Sequence, residues 1–140
     1  MNQNSPPQDA AVPEDSRALK GKRGMQRVWN ALHYSLDGFR AAWTGEDAFR
    51  QEILLSVVLV PVAIMLPVSL VERLLLISSV VMVLIVELLN TAVESAIDRH
   101  SFEINPLAKR AKDLGSAAVM LSLILAGGIW AAVLWARYAG

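Results

Sequence analysis

Three apolar stretches leave this chain few folds to choose from. Residues 53–71 run for 19 positions without a charge, residues 74–97 carry only two acids among 24, and residues 114–136 are 23 uncharged positions. A helix crosses a hydrocarbon core of about 30 Å in about 20 residues, so each stretch is long enough to span a bilayer. With 140 residues, 54% of them hydrophobic, and a mean hydropathy of +0.42, the chain holds more apolar surface than a water-exposed fold of this size would bury. The predicted fold class is all-α integral membrane. Cysteine is absent, which excludes disulfide scaffolds, thiolate metal sites and a catalytic thiol. Thirteen basic residues balance thirteen acidic ones, against the concentrated basic surface that nucleic acid demands.

Residues 1–24 hold three of the six prolines and show no apolar periodicity, so they are predicted to be a disordered cytoplasmic tail. Their start lacks the basic-then-apolar pattern of a signal peptide, and no cleavage is expected. From residue 25 to 140 the sequence reads as one membrane domain. Met25, Val28, Trp29, Leu32, Leu36, Phe39 and Trp43 recur at steps of three and four and trace one stripe. Residues 25–43 are thus an amphipathic helix, whose tryptophans suit the membrane surface. Thr44 with Asp47 resembles a capping box, placing the start of a second helix near Glu46. The first span is then 46–71, with Pro61 and Pro67 expected to kink it or end it early. The second is 74–97, joined to the first by Glu72 and Arg73, and the third is 114–137, after a charged loop at 98–113. Gly127 and Gly128 in the third span suggest close helix packing.

Lysine and arginine set the orientation. Residues 1–52 contain seven and residues 98–113 contain four, whereas the opposite side has only Arg73 and Arg137. The N-terminus, the surface helix and the long loop are therefore expected in the cytoplasm.

The second span is the informative one. Glu87, Asn90, Glu94 and Asp98 fall within about 80° of one another on a helix, forming a single polar seam. Ionisable groups inside a membrane are costly and normally face protein or water, so the seam marks a functional site. Glu87 lies about 20 Å along the helix from Arg73, in the cytoplasmic third of the core, and Glu94 about 10 Å further on, near the headgroups. A carboxylate at the depth of Glu87 is suited to take a proton from a hydroxyl arriving from the lipid side. Glu46 and Glu94 are suited to share a magnesium ion, which takes one or two carboxylates plus phosphate oxygens and water. Lys112 adds a cation for a phosphate, and Asp113 a further metal or hydrogen-bond partner. Together these suggest phosphoryl transfer. No phosphate-cradling GxxxxGK[ST] loop is present, nor the HRD and DFG signatures of protein kinases. His33 and His100 have no second ligand at metal spacing, and Arg40 and Arg50 suit headgroup contact.

Several segments resemble the small integral-membrane diacylglycerol kinases of bacteria: VELLNTAVE (86–94), AAW (41–43), AFRQE (48–52), ERLLLISSV (72–80) and AKDLGSAAV (111–119). The likeness runs from about residue 25 to about residue 137. It implies a homotrimer of the bacterial inner membrane, each subunit with a surface helix and three spans, that moves the γ-phosphate of MgATP to diacylglycerol to give phosphatidic acid. Carried over by position, it implies that Glu87 is the catalytic base, Asn90 its helper, and Glu46 and Glu94 the metal carboxylates. Arg27, Tyr34, Glu46, Glu94, Glu103, Lys112 and Asp113 correspond to nucleotide contacts. Arg27, Arg40, Trp43, Gln51, Glu52, Glu87 and Ser116 correspond to lipid contacts. One departure is Asn105 in FEINP (102–106), where a histidine near the adenine is expected. The related undecaprenol kinases share the core motif; NTAVE and NPLAKRAKD lean toward them, whereas LGSAAV and AFRQE lean toward the diacylglycerol enzymes, which the resemblance favours. Two readings outside enzymology stay open at this point: a transport module whose seam lines an ion path, and a structural subunit whose seam only joins helices.

Overall fold

The computed structural model describes residues 25–98 and 106–139. The tail at 1–24 and the segment that holds Glu103 lie outside the described residues. The described chain forms four helices, α1 Met25–Gly45, α2 Asp47–Met65, α3 Leu70–Asp98 and α4 Pro106–Tyr138, and contains no strand. Helices α2, α3 and α4 are each long and apolar enough to cross a membrane. The boundary between two compact units falls inside α1, one ending at Gly38 and the other beginning at Phe39.

Helix α1 continues two residues beyond the predicted end. The Thr44 hydroxyl donates back to the Arg40 and Ala41 carbonyls, at 2.9 and 3.1 Å, so it is engaged within α1 and caps nothing in α2. Helix α2 does start after Glu46, but that residue makes no side-chain cap. Arg50 joins the two helices instead. Its guanidinium donates to the Trp43 carbonyl at 2.9 Å, closing the end of α1, and pairs with Asp47.

Pro61 is accommodated inside α2, and the helix stops at Met65, short of the predicted residue 71. The cause is Pro67, which disfavours the helical region for the residue before it; Leu66 is extended, with ψ of 138°. The hairpin therefore turns over residues 66–69, and Glu72 and Arg73 belong to α3. The capping box lies here: the Ser69 amide donates to Glu72 Oε2 at 2.7 Å, and the Glu72 amide to Ser69 Oγ at 3.3 Å. Arg73 donates to the Leu66 carbonyl at 3.2 Å, satisfying the end of α2. Helix α4 starts at Pro106, eight residues before the predicted span. Proline suits a first helical position because the amide it lacks has no intrahelical partner there. Residues 106–113, predicted as loop, are thus the first two turns of α4.

Helix α3 packs against both α2 and α4 and is central: 28% of its apolar stretch is buried, against 11% in each neighbour. Near the turn between α2 and α3 the three helices meet in a dry cluster of Ala63, Leu76 and Val133. Buried Ser56, Ser79 and Ser122 donate to carbonyls of their own helices, so these small side chains occupy the interface without orphaned hydroxyls. Large apolar side chains on all three helices remain exposed, among them Leu54, Val58, Met82, Leu89, Leu121 and Ile124. Lipid or further subunits are the natural cover for such a surface.

Candidate active site

At the opposite end of the three helices the interface is polar. Glu87 is 4% exposed, and it is the one acid or base among the buried side chains of the described residues. It points into the protein, away from the lipid-facing surface. Glu46 and Glu94 lie close enough to act on it electrostatically, and so does Glu52. Four carboxylates, Glu46 at the start of α2, Glu52 one and a half turns later, and Glu87 and Glu94 on α3, therefore share one neighbourhood. Asn90 lies between the last two on the seam, and its amide donates to Glu94 Oε1 at 3.4 Å.

Helix α4 closes the site. Lys112 Nζ pairs with Asp98 Oδ1 at 2.6 Å, tying the first turns of α4 to the last turn of α3, and it also lies within electrostatic reach of Glu94. Asp113 pairs with Lys109 at 2.7 Å along the helix surface. Ser116 is exposed one turn further on, as are Arg40, Trp43 and Gln51 on α1 and α2. Arg27 and Tyr34 are exposed on the part of α1 that precedes Gly38.

Among the described residues no three acidic or histidine side chains gather as a ready-made metal cage. A pair of carboxylates with open sides is still what magnesium uses when phosphate oxygens and water complete its shell. His33 is engaged elsewhere, with Nδ1 on the Trp29 carbonyl at 3.0 Å.

Below the carboxylates, an apolar pocket of about 300 Å³ lies between α2, α3 and α4. Glu52, Ser56, Val83, Leu123, Gly127 and Trp130 line it. Glu52 Oε2 and the Trp130 indole nitrogen are buried without a partner, as are Asn90 Oδ1 and Thr91 Oγ1 on the seam. Arg73 Nε, near the turn between α2 and α3, is likewise without a partner, and Trp130 packs against the apolar cluster at that end, so Glu52, Asn90 and Thr91 are the ones that leave unpaired buried atoms at the carboxylate end. The sequence gives no role to Thr91 or Trp130; each reads as an ordinary span residue until its neighbours are known. Gly127 and Gly128 do not bring helices together within this chain, because a Cβ added at either meets nothing within 4 Å. The close approach is at Gly115, where a Cβ would collide with the Asn90 side chain.

These features define an all-helical membrane protein with a group of carboxylates at one end of its spans. The family model described as prokaryotic diacylglycerol kinase matches residues 33–134. The diacylglycerol kinase of Pseudomonas aeruginosa is 53% identical over 116 residues, covering 83% of this chain and 94% of the relative. That of Escherichia coli K12 is 46% identical over 115 residues, covering 82% and 94%, and one from Helicobacter pylori is 40% identical over 116 residues, covering 83% and 91%. The chain belongs to the prokaryotic diacylglycerol kinase family.

Proposed function

We propose that the protein transfers the γ-phosphoryl group of ATP to the hydroxyl of diacylglycerol, at the cytoplasmic face of the bacterial inner membrane. The observation that carries this reading is the burial of Glu87 between the long apolar helices, on the same face of α3 as Asn90 and Glu94. Glu87 takes the proton of the lipid hydroxyl as the oxygen bonds to the γ-phosphorus. The bond from that phosphorus to the bridging oxygen breaks, and ADP leaves with the electron pair. Asn90 orients Glu94 through its amide. Lys112 offers a positive charge to the phosphates once its pairing with Asp98 relaxes.

Glu46 and Glu94 would hold magnesium, whose chemistry here is to neutralise phosphate charge. Arg27, Tyr34, Glu103 and Asp113 are assigned to the nucleotide. Arg27, Arg40, Trp43, Gln51, Glu52 and Ser116 are assigned to the lipid. The pocket below Glu52 suits an acyl chain, since its walls are almost wholly apolar. Eleven of the thirteen lysines and arginines fall in segments 1–52 and 98–113, which supports a cytoplasmic N-terminus. The exposed apolar faces and the orphaned polar atoms support assembly with further copies, for which we adopt a homotrimer.

The test is a labelling assay. Purified protein in lipid–detergent micelles, given γ-labelled ATP and magnesium, is expected to label diacylglycerol as phosphatidic acid. Label appearing only on undecaprenol would replace the substrate, and no labelled lipid alcohol would remove the kinase reading.

A further inference from the structure

We infer that Gly115 is a positioning residue, whose missing side chain holds the Asn90 amide in the orientation that serves Glu94. The inference rests on the reading of Asn90 as part of the active site. Among the described glycines, Gly38, Gly45, Gly127 and Gly128 have nothing within 4 Å of an added Cβ. At Gly115 the Asn90 amide oxygen occupies the place where a side chain would leave the backbone, and Asn90 Cγ lies 3.3 Å from that Cβ position.

Hydrogen bonds alone fix the amide poorly. Its nitrogen reaches Glu94 Oε1 at 3.4 Å, at the long end of the useful range, and its buried oxygen has no donor. Contact with the Gly115 backbone supplies the missing constraint, with a weak Cα–H donor facing the oxygen. One turn earlier, Lys112 pairs with Asp98 across the same two helices at 2.6 Å. A methyl group at position 115 leaves two responses: Asn90 swings off Glu94, or α3 and α4 part. Either displaces the amide by a distance comparable to the methyl itself, and misplacement of about 1 Å at a reacting constellation costs about 100-fold in rate.

A double-substitution cycle on the full-length enzyme tests this, with kcat and both KM values measured below the unfolding temperature. Gly115→Ala is expected to lower kcat at least about tenfold, with the KM for ATP and for lipid within about twofold of the original, because the displaced group acts in the reaction rather than in capture. In the Asn90→Ala background there is no amide to displace, so Gly115→Ala is expected to change kcat less than about twofold. Losses that multiply in the double variant overturn the inference, as does a Gly115→Ala enzyme with unchanged kcat or with altered KM alone. Should Gly115→Ala fail to fold, the comparison of Asn90→Ala with Asn90→Ala/Gly115→Ala, which removes the collision, decides in the same way. An Asn90→Ala enzyme with full turnover refutes the catalytic reading of Asn90 itself, and the inference with it.

Discussion

Glu87 shows how one side chain combines exposure, charge and depth. A carboxylate 4% exposed among three other carboxylates is an expensive arrangement for a residue that only joins helices. Glutamine at this position keeps the volume and the hydrogen-bonding atoms but removes the base. Glu87→Gln is expected to lower kcat about 10²- to 10⁴-fold, while circular dichroism and assembly in detergent stay unchanged. A loss of assembly with turnover per folded enzyme preserved would favour a structural role, and ion flux across liposomes altered by the same substitution would favour a transport module. The seam of Glu87, Asn90 and Glu94 was legible from spacing alone, because residues three and four apart share a helix face whatever surrounds them. Glu52 was legible only as a family position. Its half-buried setting and its place beside Glu87 depend on how α2 lies along α3. Thr91 and Gly115 were not legible as site residues at all.

At the scale of the elements, the helices follow the apolar periodicity and their ends follow local chemistry. The capping box at Ser69 and Glu72 carries a prediction. Ser69→Ala removes the acceptor for the Glu72 amide and one partner of its carboxylate, at 3.3 and 2.6 Å, and is expected to destabilise the protein by about 1 kcal/mol. Equilibrium unfolding in mixed micelles measures it. Turnover is expected to stay unchanged, since the cap lies at the far end of α3 from the carboxylates. Where the predicted boundaries moved, a cap or a proline moved them. The Thr44 hydroxyl found a nearer carbonyl in its own helix, Pro67 ended α2 by restricting Leu66, and Pro106 opened α4 eight residues early. Several side chains within hydrogen-bonding reach compete at each helix end, and spacing in the sequence does not rank them.

At the scale of the whole molecule, the three long helices form a layered object, with a dry cluster of Ala63, Leu76 and Val133 toward one end and a group of carboxylates toward the other. The distribution of lysine and arginine predicts which end faces the cytoplasm. Because the chain has no cysteine, single ones report position without background. In spheroplasts, Ser69→Cys is expected to react with a membrane-impermeant maleimide and Lys109→Cys only after lysis. The reverse pattern would invert the orientation and place the proposed site away from cytoplasmic ATP.

The sequence by itself determined that this chain is helical and membrane-embedded, that its second long span carries an acidic seam, and which family motifs it contains. Apolar run length, helical period and residue identity are local properties, readable without knowing what a segment touches. Tertiary structure decided the rest: that Glu87 turns inward, that Glu46 and Glu52 from α2 join it, that Lys112 ties α4 to α3, and that Gly115 rather than the Gly127–Gly128 pair makes the close approach. Those outcomes depend on the relative rotation and translation of packed helices, set by many weak contacts distributed over their whole length.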